Sequence, residues 1–139
     1  IPVVFSADAS VENVSVYFVP LGVSENGVDC TDVTEVARRV PETVAVAHAA
    51  LGELLEGVDI SERETLISLI PPHAQVRSLG LEEGVATITF VKDSFLGVAG
   101  SCRVAGIRAQ IEATLKQFSS VTSVIILEEG RAIDEVLQP

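Results

Sequence analysis

The residue types that could carry out chemistry are few in this sequence and lie far apart. It contains two histidines, His48 and His73, and two cysteines, Cys30 and Cys102, whose spacing matches no recognisable zinc-binding pattern. The short motifs of serine hydrolases, zinc proteases and phosphate-binding loops do not occur. Paired carboxylates are always available in a chain with 20 acidic residues, so they give no argument for glycoside hydrolysis. We therefore predict that the protein is not an enzyme and that it has no catalytic residue, metal site or cofactor.

The two cysteines allow two interpretations. Cys30 lies in a polar loop, and Cys102 lies at the start of a long predicted helix. They are either two unrelated buried thiols or a disulfide that ties the loop to the helix. Such a disulfide would remove unfolded-state entropy worth roughly 4 kcal/mol, and it would indicate an oxidising compartment outside the cytoplasm.

The composition is that of a single acidic domain. The chain has 139 residues, of which 47% are hydrophobic, but only five Phe and one Tyr, which predicts an aliphatic core. The net charge of −11 argues against nucleic acid and anionic membrane surfaces as partners, because both would be repelled. No apolar run reaches the roughly 18 residues needed to cross a bilayer. Because the sequence starts at Ile1 without methionine, we expect a fragment or mature form whose leader or anchor would lie upstream.

The positions of the charged residues favour solvent exposure. Three acidic pairs fall at predicted turns, where their spacing does not match a calcium-binding loop, so we expect a solvated rim. These pairs are Glu82-Glu83, Glu128-Glu129 and Asp134-Glu135. Arg38 falls among the valines of a predicted strand, where it could snorkel to the edge or pair with a carboxylate. A solvated position is the commoner outcome.

Residues 101–130 are predicted to form the centre of the domain, as a helix that leads directly into a strand. Apolar residues recur at steps of three and four, which places them on one face of a helix that Ser101 would cap. The strand at 124–127 is apolar on both faces, so it should be covered on both sides or lie centrally in its sheet. The predicted core centre consists of Ile111, Leu115, Phe118, Val124 and Ile126.

A polar stripe runs beside the apolar face of this helix. Gln110, Thr114 and Gln117 are spaced at i, i+4 and i+7, so they share one side of the helix. The stripe is either exposed to solvent or hydrogen-bonded to neighbouring segments. We expect Gln110 or Gln117 to be buried and bonded to backbone.

The remaining segments complete an α+β pattern. We predict a two-layer sandwich with one mixed five-stranded sheet and two main helices on one face. Residues 1–13 are predicted to be a linker or N-terminal extension, and residues 14–139 a single domain. The other predicted elements are strands at 14–20 and 33–40, a helix capped by Thr43 and ended by Gly57, a short helical turn from Ser61 through Leu69, and a hairpin at 75–81 and 84–91.

The order of several segments resembles the GerMN domain family of bacterial sporulation and germination proteins. The helix-to-strand piece is the most specific part of the resemblance, which covers about residues 14–138. Gly57-Val58-Asp59 departs from the family, which often has Gly-Pro there. The matching segments are VYFV at 16–19, EVARRVP at 35–41, AALGELLEG at 49–57, Ile70-Pro71, EGVATITF at 83–90, QIEATLKQF at 110–118, Val121, and VII at 124–126.

The resemblance implies a non-catalytic binding or scaffolding domain of the bacterial cell envelope. Family members are typically lipoproteins or membrane-anchored proteins outside the cytoplasm, so the same extracytoplasmic location is expected here. Cys30 and Cys102 resemble a disulfide-bearing subset of the family, which implies that the two residues form an intramolecular disulfide. The expected partner is an envelope protein or the cell wall. The alternative is an enzyme that acts on cell-wall polymer (peptidoglycan).

Strand addition at a free sheet edge is the simplest way for such a domain to bind a protein partner, because unpaired N–H and C=O groups are already displayed there. The candidate edges from sequence are the strand at 14–20, the strand at 33–40 and the tail after Gly130.

Overall fold

A computed structural model describes residues 11–21, 30–43, 45–129 and 131–132 of the chain. Short strands alternate with two helices, which confirms the predicted α+β class. In chain order the elements are β1 (Val11–Pro20), β2 (Thr34–Pro41), α1 (Val46–Leu55), a 3-10 turn (Ile60–Glu62), β3 (Leu66–Ile67), β4 (Val76–Glu82), β5 (Val85–Phe90), α2 (Ser101–Lys116), β6 (Ser123–Glu128) and β7 (Arg131–Ala132).

The strands form two sheets, so the prediction of a single mixed five-stranded sheet was wrong. The first sheet is antiparallel with the order β2-β1-β3, and the second has the order β4-β5-β6-β7 with β5 and β6 parallel. The division has a local cause. Strand β3 pairs with β1 only at Val19 and Pro20, and side chains of α2 bond to the preceding part of that edge. A helix cannot continue a backbone ladder, so the first sheet stops there.

One core joins the two sheets and both helices. Buried side chains of β1, β5, α1 and α2 contact one another in a single cluster, in which the rings of Phe90 and Phe95 meet edge to face at 4.8 Å. Of the predicted core residues, Ile111 and Leu115 are fully buried and Ile126 is 4% exposed. Phe118 and Val124 are only partly buried and pack against this cluster.

Helix α2 begins immediately after Gly100, whose φ of 98° turns the chain into the helix. Ser101 is therefore the first helical residue, and its predicted role as N-cap was wrong. At Gly106 the helix closely approaches the segment below it. A Cβ there would lie 2.3 Å from the Leu69 Cδ1 atom and 3.2 Å from the Cys30 carbonyl oxygen, so only glycine fits without a shift.

The segment after α1 differs most from the sequence interpretation. Asp59, not Ser61, is the N-cap, and its carboxylate and that of Glu62 each accept the other residue's backbone N–H. Leu66 and Ile67 belong to β3 and not to a helical turn. This error arose because a strand of two residues has no periodicity, and its pairing with distant β1 decides its conformation.

The boundaries of the remaining elements follow local signals. Helix α1 begins at Val46; Thr43 is not its N-cap, although its hydroxyl accepts the Ala45 N–H at 3.1 Å. Gly57, with φ of 84°, follows the end of the helix as predicted. The predicted hairpin between β4 and β5 is confirmed. Strand β1 starts three residues before the predicted domain boundary at 14, and residues 1–10 and 133–139 lie outside the described part.

Candidate interaction edges

The side-chain amide of Gln117 takes the place of a neighbouring strand beside β1. Its Oε1 accepts the Ser15 N–H at 2.9 Å, and its Nε2 donates to the Ser15 carbonyl at 2.6 Å. An amide side chain has the same donor and acceptor as a peptide group, so it satisfies both backbone groups of one strand residue. Helix α2 thus closes this part of the β1 edge with a side chain.

Gln110, which is fully buried, lies two turns before Gln117 in the chain and closes a second part of the β1 edge. Its Nε2 donates to the Tyr17 carbonyl at 3.0 Å and to the Ser68 hydroxyl at 3.2 Å, and its Oε1 accepts the Leu69 N–H at 2.8 Å. The expectation that Gln110 or Gln117 is buried and bonded to backbone is confirmed. Thr114 lies between them, fully buried, and its hydroxyl has no hydrogen-bond partner among the described residues.

The glutamine bonds also determine which groups β2 shows to its outer edge. Ser15 and Tyr17 use their backbone groups toward α2, so their partners across the ladder, Ala37 and Glu35, are in non-hydrogen-bonded pairs. In such pairs both residues direct N–H and C=O away from each other. Ala37 and Glu35 therefore present these groups on the outer edge of β2, where no described strand pairs with them.

Strand β2 carries charged side chains, one of which bonds a backbone group on this outer edge. The Arg38 guanidinium forms a two-pronged ion pair with Glu62 at 2.7 and 2.8 Å, lies 5.6 Å from the centre of the Phe18 ring and donates to the Ala37 carbonyl at 3.3 Å. Arg38 is thus paired with a carboxylate and not solvated, contrary to the commoner outcome expected from sequence. Its hydrogen bonds hold the pKa of Glu62 below its usual value.

Strand β4 has a second open edge that the sequence analysis did not include. The two-residue turn Glu83-Gly84, with φ of 52° and 83°, makes the flanking Glu82–Val85 pair a hydrogen-bonded one. Counting back along the ladder, Gly80 also bonds to β5, whereas Leu79 and Leu81 direct N–H and C=O outward. In the described part of the chain, no strand lies on that side of β4.

A shallow apolar groove runs along the open β4 edge. Leu79 and Leu81 lie on the core face of β4, but Leu81 is 49% exposed because the core does not extend that far. The groove has a volume of about 250 Å³. Its lining consists of Leu79, Leu81, the first turn of α1 at Ala45–His48, Phe118 and Ser120. We refer to the outward groups of Leu79 and Leu81 and this groove together as the β4 groove.

Two carboxylates at the end of β6 hold the loop that follows β5. Glu128, only 3% exposed, accepts the Asp93 N–H at 3.1 Å and the Phe95 N–H at 3.2 Å. Glu129 accepts from Arg77 at 2.8 Å and from the Lys92 N–H at 3.1 Å, and the Arg77 bonds lower the pKa of Glu129. The predicted solvated rim was therefore wrong at Glu128. Its role is structural, because its oxygens bond backbone N–H groups.

The disulfide fixes the opposite end of α2. Cys30 and Cys102 are bonded across 72 residues with their Cα atoms 5.3 Å apart. Together with the close contact at Gly106, this bond holds the first turns of α2 against the segment that leads into β2. An open groove of about 650 Å³ lies along the outer face of α2 and is lined by Thr31, Val33, Ser101, Val104, Ala105, Arg108, Ala109, Glu112 and Ala113.

The family to which this fold belongs is decided by comparison with known sequence families. The family model Germane, described as "Sporulation and spore germination", matches residues 15–134. The chain belongs to the Germane family. That match runs from the middle of β1 through β7 and confirms the resemblance to GerMN domains. No curated protein matched the chain.

Solved structures support the Germane fold assignment. The first GerMN domain of the sporulation protein GerM from Bacillus subtilis is 21% identical, with a TM-score of 0.66 over 88% of this chain and 86% of that one. The tandem GerMN domains of the same protein give 16% identity and a TM-score of 0.64 over 94% of this chain, which spans 43% of the tandem. A candidate lipoprotein from Clostridium perfringens is 15% identical, with a TM-score of 0.55 over 95% of this chain and 84% of that one. At these identities the likeness shows the fold.

Of the residues in this Germane domain that could do chemistry, the structure brings Cys30 and Cys102 together, as a disulfide. Within the described residues, no three His, Cys, Asp or Glu side chains are grouped to hold a metal ion. His48 and His73 are both exposed, and His48 borders the β4 groove. Glu82 and Glu83 are exposed at the hairpin turn, as predicted, whereas Asp134 and Glu135 lie outside the described residues. Neither described helix is long and apolar enough to cross a membrane.

Proposed function

We propose that this Germane domain is a non-enzymatic binding module that acts outside the cytoplasm, in the bacterial cell envelope. Its partner is an envelope protein or the cell wall, and it engages that partner by association without chemical turnover. The observation that carries this proposal is the presence of two strand edges, on β2 and β4, whose backbone groups have no paired strand in the described part of the chain. Such edges are ready-made sites for protein association.

The disulfide supports an extracytoplasmic location. Disulfides form and persist in oxidising compartments and are rare in the cytosol of most organisms. Cys30 and Cys102 are joined, and no described cysteine is free. The similar structure from Clostridium perfringens is that of a candidate lipoprotein, which favours a comparable setting for this chain.

The charge of the chain restricts the class of partner. With 20 acidic and 9 basic residues the domain carries a net charge of −11, so a polyanion would be repelled. A neutral or basic protein segment, or an uncharged part of the cell wall, would not be. The proposal therefore excludes nucleic acid and anionic lipid surfaces as partners.

A pull-down with matched edge variants tests the proposal. The oxidised domain is immobilised and exposed to a native envelope extract, in parallel with Ala37→Pro on β2 and Leu81→Pro on β4. Proline at these outward positions removes one edge donor without adding charge or breaking the inner ladder. We expect a retained partner that is lost from one of the two variants and kept by the other.

Two results would contradict the proposed function. If both proline variants retain the same proteins as the parent, neither edge carries binding. If the purified domain hydrolyses peptidoglycan and a single carboxylate substitution abolishes that activity, the enzyme interpretation replaces the binding module.

A further inference from the structure

We propose that the β4 groove binds an extended segment of another protein as an added strand, with alternate apolar side chains in the groove and a basic residue near the hairpin turn. This inference rests on the proposed function, since it names the edge and the chemistry of the partner. It begins from the backbone of β4, where Leu79 and Leu81 direct N–H and C=O groups outward. Only an extended chain matches such an alternating row of donors and acceptors.

Of the four strands at the ends of the two sheets, β3 and β7 have only two residues each, and the side chains of the two longer ones favour β4 over β2 as the docking strand. Natural proteins protect free edges with charged residues, prolines and bulges. The β2 edge carries Glu35, Arg38 and Arg39 along its middle. The middle of β4, residues 78–81, has the sequence Ser-Leu-Gly-Leu and carries no charge. Its only bulge, between Val76 and Ser78, lies at the end away from the turn and leaves this stretch regular.

The groove supplies a place for the side chains of an added strand. Residues of the new strand that lie beside Leu79 and Leu81 would point to the core face, under the first turn of α1 and toward Phe118 and Ser120. The volume of about 250 Å³ is below the range of about 300–1,000 Å³ typical of small-molecule sites. It therefore suits single aliphatic side chains of a peptide better than a free metabolite.

The charges at the turn indicate the next residue of the bound segment. Glu82 points to the face opposite Leu81, and Glu82 and Glu83 are both exposed. A Lys or Arg directly across from Glu82 would make a favourable cross-strand pair. In the direction of β4, the residues of the segment opposite positions 79–82 are thus predicted to be apolar, any residue, apolar and basic, an order that is reversed from N- to C-terminus if the segment is antiparallel to β4. Two copies of a chain with a net charge of −11 repel each other, which argues against a second copy as the occupant.

Selection from a phage-displayed library of random linear peptides on the oxidised wild-type domain tests this proposal. The enriched peptides are synthesised with a fluorophore, and their affinity is measured by anisotropy against the wild type and three variants. Ser120→Trp fills the groove, whereas Ser119→Trp places the same side chain on the neighbouring exposed residue, which does not line it. Glu82→Lys reverses the charge at the turn. Thermal melting confirms that all three variants fold.

We expect enrichment of the apolar-any-apolar-basic pattern in one of the two chain directions, parallel or antiparallel to β4. Affinity should fall about tenfold or more in Ser120→Trp, because an anchoring side chain is displaced, and stay within about twofold in Ser119→Trp. Glu82→Lys should also weaken binding, and the difference from wild type should shrink as salt screens the charge pair.

Three results would overturn the inference. The first is that no peptide is enriched, and the second is that Ser120→Trp binds the enriched peptides as tightly as wild type does. The third is that the wild type forms a dimer that Ser120→Trp dissociates, because a second copy would then be the occupant. The envelope pull-down separates this failure from failure of the binding module. If the partner is kept by Ser120→Trp and lost from Ala37→Pro, the module stands and β2 is its docking edge.

Discussion

Strands β1 and β4 each have an edge that a neighbouring strand does not fully cover, and the protein treats these edges differently. Beside β1, the amide groups of Gln110 and Gln117 bond the backbone of Ser15 and Tyr17 as a strand would. Beside β4, the described part of the chain supplies no such substitute, and an apolar groove lies open instead. The same backbone chemistry is thus satisfied within the domain at one edge and left available at the other.

Under the proposed function, this difference separates the part of the molecule that stabilises the fold from the part that binds a partner. Closing an edge with helix side chains needs a helix held in a fixed position, which the disulfide and the contact at Gly106 provide. Leaving an edge open exposes the protein to unwanted pairing, a risk that β2 reduces with charges. The comparison therefore predicts large stability effects on the closed side and small ones on the open side.

The largest effect is expected from removing the disulfide. The variant Cys30→Ala/Cys102→Ala should lose about 4 kcal/mol of unfolding free energy, because the bond closes a loop of 72 residues in the unfolded chain. Urea denaturation measures this loss, and the reduced wild type serves as the control and should match the variant. A variant as stable as the oxidised parent would show that α2 is held in place without the bond.

The next largest effect is expected at Gln110. Substitution to Ala leaves the Leu69 N–H and the Tyr17 carbonyl, both partly buried, without these partners, which should cost about 3 kcal/mol. The matched control is Gln75→Ala, an exposed glutamine whose change should cost under about 0.5 kcal/mol. Equal midpoints of urea denaturation for the two variants would contradict the claim that the Gln110 side chain stabilises the β1 edge.

Proline substitutions along β4 compare its inner and outer backbone groups directly. Gly80→Pro removes a donor that bonds to β5 and should cost about 2 kcal/mol. Leu81→Pro removes an outward donor, so it should be no more than about 0.5 kcal/mol less stable than Leu81→Ala, which corrects for the lost side chain. Thermal unfolding of the three variants measures both losses. A larger loss for Leu81→Pro than for Gly80→Pro would mean that the outward backbone groups of β4 are misassigned.

A smaller loss than that of Gly80→Pro is expected at the ion pair beside the β2 edge. Glu62→Gln should cost about 1–2 kcal/mol near neutral pH, because the amide has one acceptor oxygen where the carboxylate has two, so Arg38 loses one of its two hydrogen bonds as well as the opposite charge. The folded protein holds the pKa of Glu62 below its unfolded value of 4.5. The ion pair therefore contributes its full stabilisation above the unfolded pKa of Glu62, and this stabilisation is lost as pH falls through the folded pKa. Unfolding free energies measured from pH 7 downward should converge for parent and variant; a constant gap would contradict the pairing.

The sequence predicts much of this fold where a pattern repeats. Helix α2 and the β4–β5 hairpin were correctly predicted because apolar spacing and the Glu83-Gly84 turn act locally. That Gln110 or Gln117 would be buried and bonded to backbone was also expected, and Gln110 is the one that is fully buried. Strand β6 lies between β5 and β7, as its apolar character predicted, although Ile125 is 47% exposed on its outer face.

What the sequence could not show depends on distant contacts. A side chain that replaces a strand leaves no periodic signal, so the division into two sheets was missed. Glu128 was assigned to a solvated rim because its backbone partners at Asp93 and Phe95 lie more than 30 residues away. The β4 groove was missed for the same reason, since it is made by β4, the start of α1 and the end of α2 together.

Amide hydrogen exchange measured by NMR on the free, oxidised domain tests the central claim most directly. The Ser15 and Leu69 amides, which donate to glutamine side chains, should be strongly protected. The Leu81 amide, on the open β4 edge, should exchange at nearly the rate of an unstructured chain, and an enriched peptide should slow it. A Leu81 amide as protected as that of Ser15 in the free domain, or a Ser15 amide that exchanges as fast as that of Leu81, would contradict the account.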